Sequence, residues 1–254
     1  MKVSIITATY NSAQFLADCI ESVIHQDYPH IEHIIIDGKS KDKTVEVIKS
    51  YKDQINKWIS EPDTGIYDAI NKGIRLATGD IVGILNSDDF FADPGVISRM
   101  VKALQNTGKQ IVFADVEFID RLDTSKVIRH YSSKYFRPWL FRFGFQPAHP
   151  TFYTYRANFE KYGFYRTDLK IAGDFELLLR FIYKYKLLYS YENETWVRMR
   201  IGGASTSGIQ SILKLNTEIV KACKINGVFT HPILVYSKYL VKWWGFIFDG
   251  CILK

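Results

Sequence analysis

Asp80-Ile81-Val82-Gly83-Ile84-Leu85-Asn86-Ser87-Asp88-Asp89 decides the reading of this chain. Ile81 to Leu85 is an unbroken apolar run between polar residues, the pattern of a strand covered on both faces. The run ends in two adjacent carboxylates, and in open parallel sheets ligands bind beyond the carboxyl ends of the strands. Neighbouring carboxylates repel when both are ionised. A hard cation such as Mg²⁺ or Mn²⁺, which prefers oxygen and binds through one or two carboxylates plus phosphates, relieves that repulsion. Asp88 and Asp89 therefore predict a metal-diphosphate site. The alternative is that one of them caps the next helix, with Pro94 in its first turn.

Upstream, Val3 to Thr7 and Ile31 to Asp37 are apolar runs suited to buried strands. Between them Phe15, Leu16, Cys19, Ile20 and Val23 repeat at helical spacing, which makes a βαβ beginning. A loop rich in Lys, Ser and Asp follows, then a helix over Thr44 to Tyr51 and a third strand over Ile55 to Ser60. Tyr67, Ile70, Ile74 and Ala77 share one helical face, and Thr78-Gly79 ends that helix before the chain returns to the sheet at Asp80. With right-handed crossovers, this alternation predicts an α/β, doubly wound, mostly parallel sheet with helices on both faces.

Downstream of a helix near Pro94 to Gln105, shorter aromatic-rich pieces at Gln110 to Ile119, Lys126 to Tyr131 and Thr151 to Tyr155 predict mixed or antiparallel strands. Gly173 to Tyr185 reads as a helix and Glu194 to Arg200 as a late strand. Ile209 to Ile225 and Pro232 to Phe248 read as two helices. The last of these holds Tyr236, Tyr239, Trp243, Trp244, Phe246 and Phe248 beside Lys238 and Lys242, a composition suited either to a bilayer interface or to packing on protein.

The 254 residues, 47% of them hydrophobic, suffice for one large domain with a full core. The opening residues turn polar at Thr7 to Asn11, too soon for a signal-peptide core, and no stretch has about 18 uninterrupted apolar residues, so export and membrane spanning are not expected. Three well-separated cysteines, Cys19, Cys223 and Cys251, suggest neither a disulfide framework nor a thiolate metal site, and fit a reducing cytoplasm. The net charge of +6 suits approach to phosphorylated substrates or an anionic leaflet. No basic recognition helix or interleaved aromatic platform points to nucleic acid.

Four blocks in order now resemble a known family: Ser4-Ile5-Ile6-Thr7-Ala8-Thr9-Tyr10-Asn11, Ile34-Ile35-Ile36-Asp37-Gly38-Lys39-Ser40, Asp63-Thr64-Gly65-Ile66-Tyr67-Asp68, and Asn86-Ser87-Asp88-Asp89. Over roughly residues 2–205 the chain resembles the family-2 glycosyltransferases of the GT-A fold, of the type that builds bacterial polysaccharides. The resemblance implies a GT-A domain over 1–205, with a nucleotide-sugar half at 1–105 and an acceptor half at 106–205. Residues 206–254 form a C-terminal helical extension outside it, expected to associate with membrane or to dimerise.

It further implies transfer of a hexosyl or N-acetylhexosaminyl group from a nucleotide-diphosphate sugar, with inversion, to a saccharide or polyprenyl-linked acceptor at the inner face of the cell membrane. Asp89 matches the last acid of the family's metal motif and would ligate Mg²⁺ or Mn²⁺, with Asp88 sharing coordination or facing ribose; Ser87 stands where the first acid is usual. Thr7 and Ala8 would offer backbone groups to the nucleobase, Tyr10 a stacking face, and Asp37 an acceptor for the base N–H, with Asp68 near the donor. Asp174, in Ala172-Gly173-Asp174-Phe175-Glu176-Leu177, matches the family's catalytic base, with Gly173 replacing the acid that usually precedes it. His149 would touch acceptor, phosphate or metal, and Gly202 to Ser207 resembles a flexible loop that closes over the diphosphate. The competing readings are a nucleotidyltransferase, for which the first loop lacks a glycine-rich basic phosphate cradle, and a non-catalytic sugar-nucleotide binder.

Overall fold

Because successive side chains of a strand point to opposite faces, β1 (Val3–Thr9), buried throughout, must be covered on both. It is flanked in parallel by β2 (Ile31–Asp37) and β4 (Ile81–Ile84), with Val3 opposite Ile31 on one side and Ile81 on the other. β3 (Lys57–Ser60) continues the parallel set beside β2. The computed structural model describes residues 1–202 and 208–247, with backbone alone at 209 and 240–247.

Val3 and Ile5 pack on one face against Cys19 and Val23 of α1 (Leu16–Ile24) and against Met100 and Val101 of α4 (Val96–Thr107). Ile6 and Ala8 pack on the other against Ile70 and Ile74 of α3 (Ile66–Leu76). α2 (Thr44–Ser50) adds Ile48 to a small cluster with Leu16, Ile20 and Ile35. The doubly wound parallel half expected from the sequence is therefore present, and its helices do lie on both faces.

The second half is mixed. Its strands are β5 (Phe90–Phe91), β6 (Ile111–Ile119), β7 (Val127–Tyr131), β8 (Tyr153–Tyr155) and β9 (Tyr189–Arg200), and the nine-stranded sheet runs β3-β2-β1-β4-β8-β6-β9-β5 with β7 on β6. β8 lies antiparallel between β4 and β6, pairing Tyr153 with Gly83 on one side and Val112 on the other, whereas β9 is parallel to β6. A Cβ on Gly83 would collide with the ring of Tyr153, so glycine at this position lets the two halves close.

Several boundaries differ from expectation. α4 starts at Val96 rather than Pro94, because the Pro94 carbonyl accepts the Asp27 N–H at 2.8 Å and stays outside the helix. Neither Asp88 nor Asp89 caps it; Gly95 holds the cap position. Thr151 is drawn into a 3₁₀ turn (His149–Thr151) by its hydroxyl bonds to the carbonyls of Ala148 and Ala114, so β8 begins only at Tyr153. β9 begins at Tyr189, opposite Ile111, five residues before the expected start. A 3₁₀ turn (Pro138–Phe143) and α5 (Arg156–Tyr162) were not anticipated by the helical spacing.

The helix expected over Gly173 to Tyr185 forms as α6 (Gly173–Leu178) and continues as a π-helical segment (Leu179–Lys184). Arg180 there pairs with buried Glu176 at 3.0 Å and donates to the carbonyls of Tyr162, Gly163 and Phe164. α7 (Ile209–Ile225) and α8 (Pro232–Ile247) match the two C-terminal helices; Phe248, expected to end the second, lies outside the described residues. Ile219, Ala222, Cys223 and Val235 join the core that holds Phe141 and Phe175. Among the described residues no helix is long and apolar enough to cross a membrane.

At the amino edge of the sheet, buried Glu32 accepts bonds from Ser4 Oγ, from the Thr78 N–H and hydroxyl, and from Lys2 Nζ. Burial alone would raise its carboxyl, but these donors outweigh it and bring it down to about 2. A carboxyl lowered on folding contributes stability above its unfolded value, and that stability is lost as the pH falls toward the folded value. The contribution is about 3 kcal/mol. In urea titrations, the stability gap between wild type and Glu32→Gln is expected to be full at pH 6 and to shrink from pH 4.5 towards pH 2.

Candidate active site

The register places the carboxyl ends of β1, β2, β3, β4 and β6 on one edge of the sheet, and β8, running the other way, begins there. Loops from both halves of the chain therefore meet at that edge, as the position of the acids in sequence required. Thr7 and Ala8 close β1 and are buried, the Thr7 hydroxyl bonding to His33 Nε2 at 3.0 Å. Tyr10, just beyond, is 56% exposed, so it is not a core residue. Asn11 takes a left-handed conformation (φ 51°) and ties this loop to the next, accepting the Lys41 N–H at 2.9 Å while its own N–H meets Ser40 Oγ.

Asp37 is fully buried, and both its carboxylate oxygens are engaged. Oδ2 accepts from the Ser40 N–H and from Ser60 Oγ at 2.6 Å, and Oδ1 accepts from Ser40 Oγ. In this arrangement Asp37 folds the loop that borders the edge. A residue overlooked in the sequence, Asp63, approaches from the β3–α3 connection: its carboxylate lies against Gly38, where a Cβ would strike it, and beside the Tyr10 ring. Asp68, on the first turn of α3, accepts the Thr64 N–H at 3.0 Å, which satisfies a donor at the start of the helix. Lys72 pairs with Glu61 at 2.8 Å more closely than with Asp68, four residues before it, at 3.9 Å.

The two adjacent acids are not equivalent. Asp89 is 1% exposed and accepts from Asn86 Nδ2 at 2.9 Å, while Asp88 is half-buried. Burial first, and the Asp88 charge second, push the Asp89 carboxyl up to about 8, with Asn86 and Arg200 opposing. Left to itself the pair favours carrying a proton, which a divalent cation would replace. The donor set thus fits Mg²⁺ or Mn²⁺ as two carboxylates completed by phosphate oxygens; among the described residues no group of three or more His, Cys, Asp and Glu could hold a metal alone. Ser87, standing in place of the usual first acid, bonds to Ser12 Oγ at 2.8 Å and fastens the motif to the β1 loop.

Arg200, at the end of β9, also supports the motif. It donates to the Asp88 carbonyl at 2.8 Å, pairs with Asp18, and lies between the rings of Phe15 and Phe90 at 4.9 and 5.0 Å. The segment expected to close over the diphosphate follows it directly, but residues 203–207 lie outside the described residues.

Asp174 sits in the first turn of α6 and does not cap it; Ala172 holds the cap position. Its Oδ2 accepts from Gln146 Nε2 at 2.9 Å, while its Oδ1 lies 3.2 Å from the Tyr67 hydroxyl, whose single proton goes chiefly to the Ile171 carbonyl at 2.6 Å, so Gln146 is the main orienting donor and Tyr67 a secondary one. A Cβ on Gly173 would strike the Tyr67 ring, which is a physical reason for glycine immediately before Asp174. His149 Nε2 bonds to the Tyr165 hydroxyl at 2.9 Å; burial lowers its pKa and the nearby Asp174 charge opposes the shift. Gln146 Oε1 is buried without a partner in the structure, leaving one acceptor atom beside the carboxylate. Tyr67, Gln146, Asp63 and Arg200 were not assigned a site role from the sequence; Asp63 and Tyr67 lie within a quoted block, whereas Gln146 and Arg200 carry no local signal of their own.

A family model described as Glycosyl transferase family 2 matches residues 4–169. An uncharacterized glycosyltransferase of Mycobacterium tuberculosis is 37% identical over 180 residues, covering 70% of this chain and 68% of its own. One from Rickettsia typhi is 29% identical over 212 residues, covering 81% of this chain and 65% of its own. Residues 1–349 of S. aureus TarS, solved in complex with UDP-GlcNAc, match with a TM-score of 0.67 at 15% identity, over 98% of this chain and 73% of that one. The mannosyltransferase PcManGT from Pyrobaculum calidifontis, solved with GDP-Man and Mn²⁺, matches with a TM-score of 0.62 at 17% identity, over 98% and 76%. The chain spans about two thirds of those bacterial relatives and 44% of a longer TarS chain.

Arg200→Met is expected to lower stability by about 2 kcal/mol, because the Asp88 carbonyl loses its donor and two rings lose their cation. Urea unfolding of the variant measures this directly, and a change below about 0.5 kcal/mol would count against the bracing role.

Proposed function

The chain belongs to glycosyl transferase family 2 and carries the GT-A fold, and from that premise we propose that it is an inverting glycosyltransferase. It moves a hexosyl or N-acetylhexosaminyl group from a nucleotide-diphosphate sugar to a saccharide or polyprenyl-linked acceptor in cell-surface polysaccharide synthesis, at the cytoplasmic face of the membrane. The observation that carries the proposal is the Asp174 carboxylate, oriented by Tyr67 and Gln146 on the sheet edge that also holds Asp88 and Asp89.

In the transfer, an acceptor hydroxyl oxygen forms a bond to the anomeric carbon as the bond from that carbon to the diphosphate oxygen breaks. Asp174 accepts the hydroxyl proton, and the electron pair of the broken bond leaves with the nucleoside diphosphate. A carboxylate held at Oδ2 by the neutral Gln146 amide, with the Tyr67 hydroxyl beside Oδ1, is pre-oriented for that proton without being neutralised beforehand. Asp88 and Asp89 would hold Mg²⁺ or Mn²⁺, which supplies neutralisation of the charge that gathers on the diphosphate. The unequal burial of the two acids supports a reading in which Asp88 takes the open ligand position and Asp89 shares coordination behind it.

Thr7 and Ala8 border the nucleobase pocket at the end of β1, and Tyr10, exposed beside Asp63, offers the base a face to stack on. Asp37 serves that pocket by holding its loop through Ser40 and Ser60, and Asp68 by fixing the start of α3. His149 stands near enough to feel the Asp174 charge, which supports a place for it beside the acceptor.

Asp174→Asn is expected to lower transfer about 10²- to 10⁴-fold while leaving nucleotide binding intact; near-normal turnover would refute the base assignment. In calorimetry with UDP and GDP, Asp88→Ala is expected to abolish the enhancement of binding by Mn²⁺ and Asp89→Ala to weaken it. Unchanged Mn²⁺ dependence in both variants would remove the metal role. A panel of nucleotide sugars, scored by thermal stabilisation, identifies the donor.

A further inference from the structure

The 3₁₀ turn Pro138–Phe143 and the start of α8 pack together, and their outer faces are apolar and exposed. Trp139 is 55% exposed, Phe229 69% and Ile233 73%, values that set these side chains apart from an ordinary folded surface. Trp139 and Arg142, three residues apart on a three-per-turn helix, share a face. The Arg142 guanidinium lies 5.1 Å from the Phe229 ring centre and donates to the Phe229 carbonyl, while Thr230 Oγ1 donates back to the Arg142 carbonyl. On α8, Ile233 and Tyr236 point outward, and Val235 turns inward to the core beside Gly144. Trp139, Arg142, Phe229, Ile233 and Tyr236 therefore make one continuous rim.

The charge of the rim has one sign. Residues 132–145 and 228–239 contain no Asp or Glu, yet Lys134, Arg137 and Arg142 lie among them. A protein partner of mixed surface charge gains nothing from this asymmetry, whereas an anionic lipid leaflet meets both the cations and the aromatic side chains that favour the headgroup boundary. The rim also adjoins the candidate active site: the chain passes from the 3₁₀ turn through Gly144 and Phe145 to Gln146, which orients Asp174.

We propose that this rim, built on Trp139, Phe229 and Ile233 with Lys134, Arg137 and Arg142, docks the enzyme on an anionic bilayer and so presents Asp174 to an acceptor displayed from the lipid surface. The docking rests on the rim alone. The presentation of acceptor rests in addition on the glycosyltransfer reading above.

The test is co-sedimentation of the full chain with vesicles of phosphatidylglycerol and phosphatidylethanolamine, and with vesicles of phosphatidylcholine alone. Wild type is expected to sediment with the anionic vesicles and to be released by high salt. Phe229→Ser/Ile233→Ser is expected to lose binding about tenfold, and Lys134→Gln/Arg137→Gln to weaken it and flatten its salt dependence. Unaltered thermal stabilisation by nucleotide shows that these variants are folded. Equal sedimentation of wild type and the apolar double variant overturns the proposal, as does equal binding to phosphatidylcholine or no binding at all. So does a dimer that becomes monomeric in the apolar variant without loss of sedimentation, since the rim is then an interface between copies. Asp174→Asn is expected to sediment like wild type, so the docking surface stands or falls independently of the base assignment.

Discussion

The contact of Gly83 with the Tyr153 ring holds the arrangement together. β4 belongs to the parallel half and carries the paired acids at its end; β8 belongs to the mixed half and follows directly from the segment with Gln146 and His149. The two can pair only because no Cβ stands between the β4 backbone and that ring. Fully buried aromatic side chains contribute heavily to a core, so the junction is both tight and strongly favoured. Everything chemical about the edge depends on it, since it brings residues 86–89 and the segment that begins β8, with Gln146 and its partner Asp174, to the same boundary of one sheet.

Full burial made the first half legible. β1, β2 and β4 are covered on both faces, so each writes a short run dominated by apolar residues, unbroken in β4 and interrupted by Ser4, Thr7, Glu32 and His33 in the other two, and the helices between them write one apolar stripe apiece. In the second half, pairing across long separations sets the limits of short elements. β5 is two residues whose strand character exists only against Arg198 and Val197, and β8 is three residues between two partners. Nothing local in the sequence encodes such pieces. The run with Pro138, Trp139 and Phe141 carries a compact 3₁₀ turn rather than a periodic pattern, and for that reason it escaped the search for amphipathic helices.

The candidate site divides along the same line. The adjacent acids Asp88 and Asp89, and Asp174 at a helix start, could be picked out because each lies in a short block of sequence. Their supporting residues could not: Gln146 meets Asp174 across 28 residues, Tyr67 meets it across 107, and Arg200 meets the Asp88 carbonyl across 112. Local sequence also could not separate the two acids, because their difference is one of burial. Only the fold puts Asp89 inside, held by Asn86, and leaves Asp88 towards the edge.

Arg180 lies behind all of this, in the π-helical segment, joined to Glu176 and to three successive carbonyls at Tyr162, Gly163 and Phe164. A planar fork of five donors can satisfy that many fixed acceptors at once; an ammonium on a flexible stem cannot. The scaffold under the mixed half is thus clamped from within by one side chain that touches none of Asp88, Asp89 and Asp174. Such separation of anchoring from contact leaves surface turns free to be rewritten while the interior clasp stays the same.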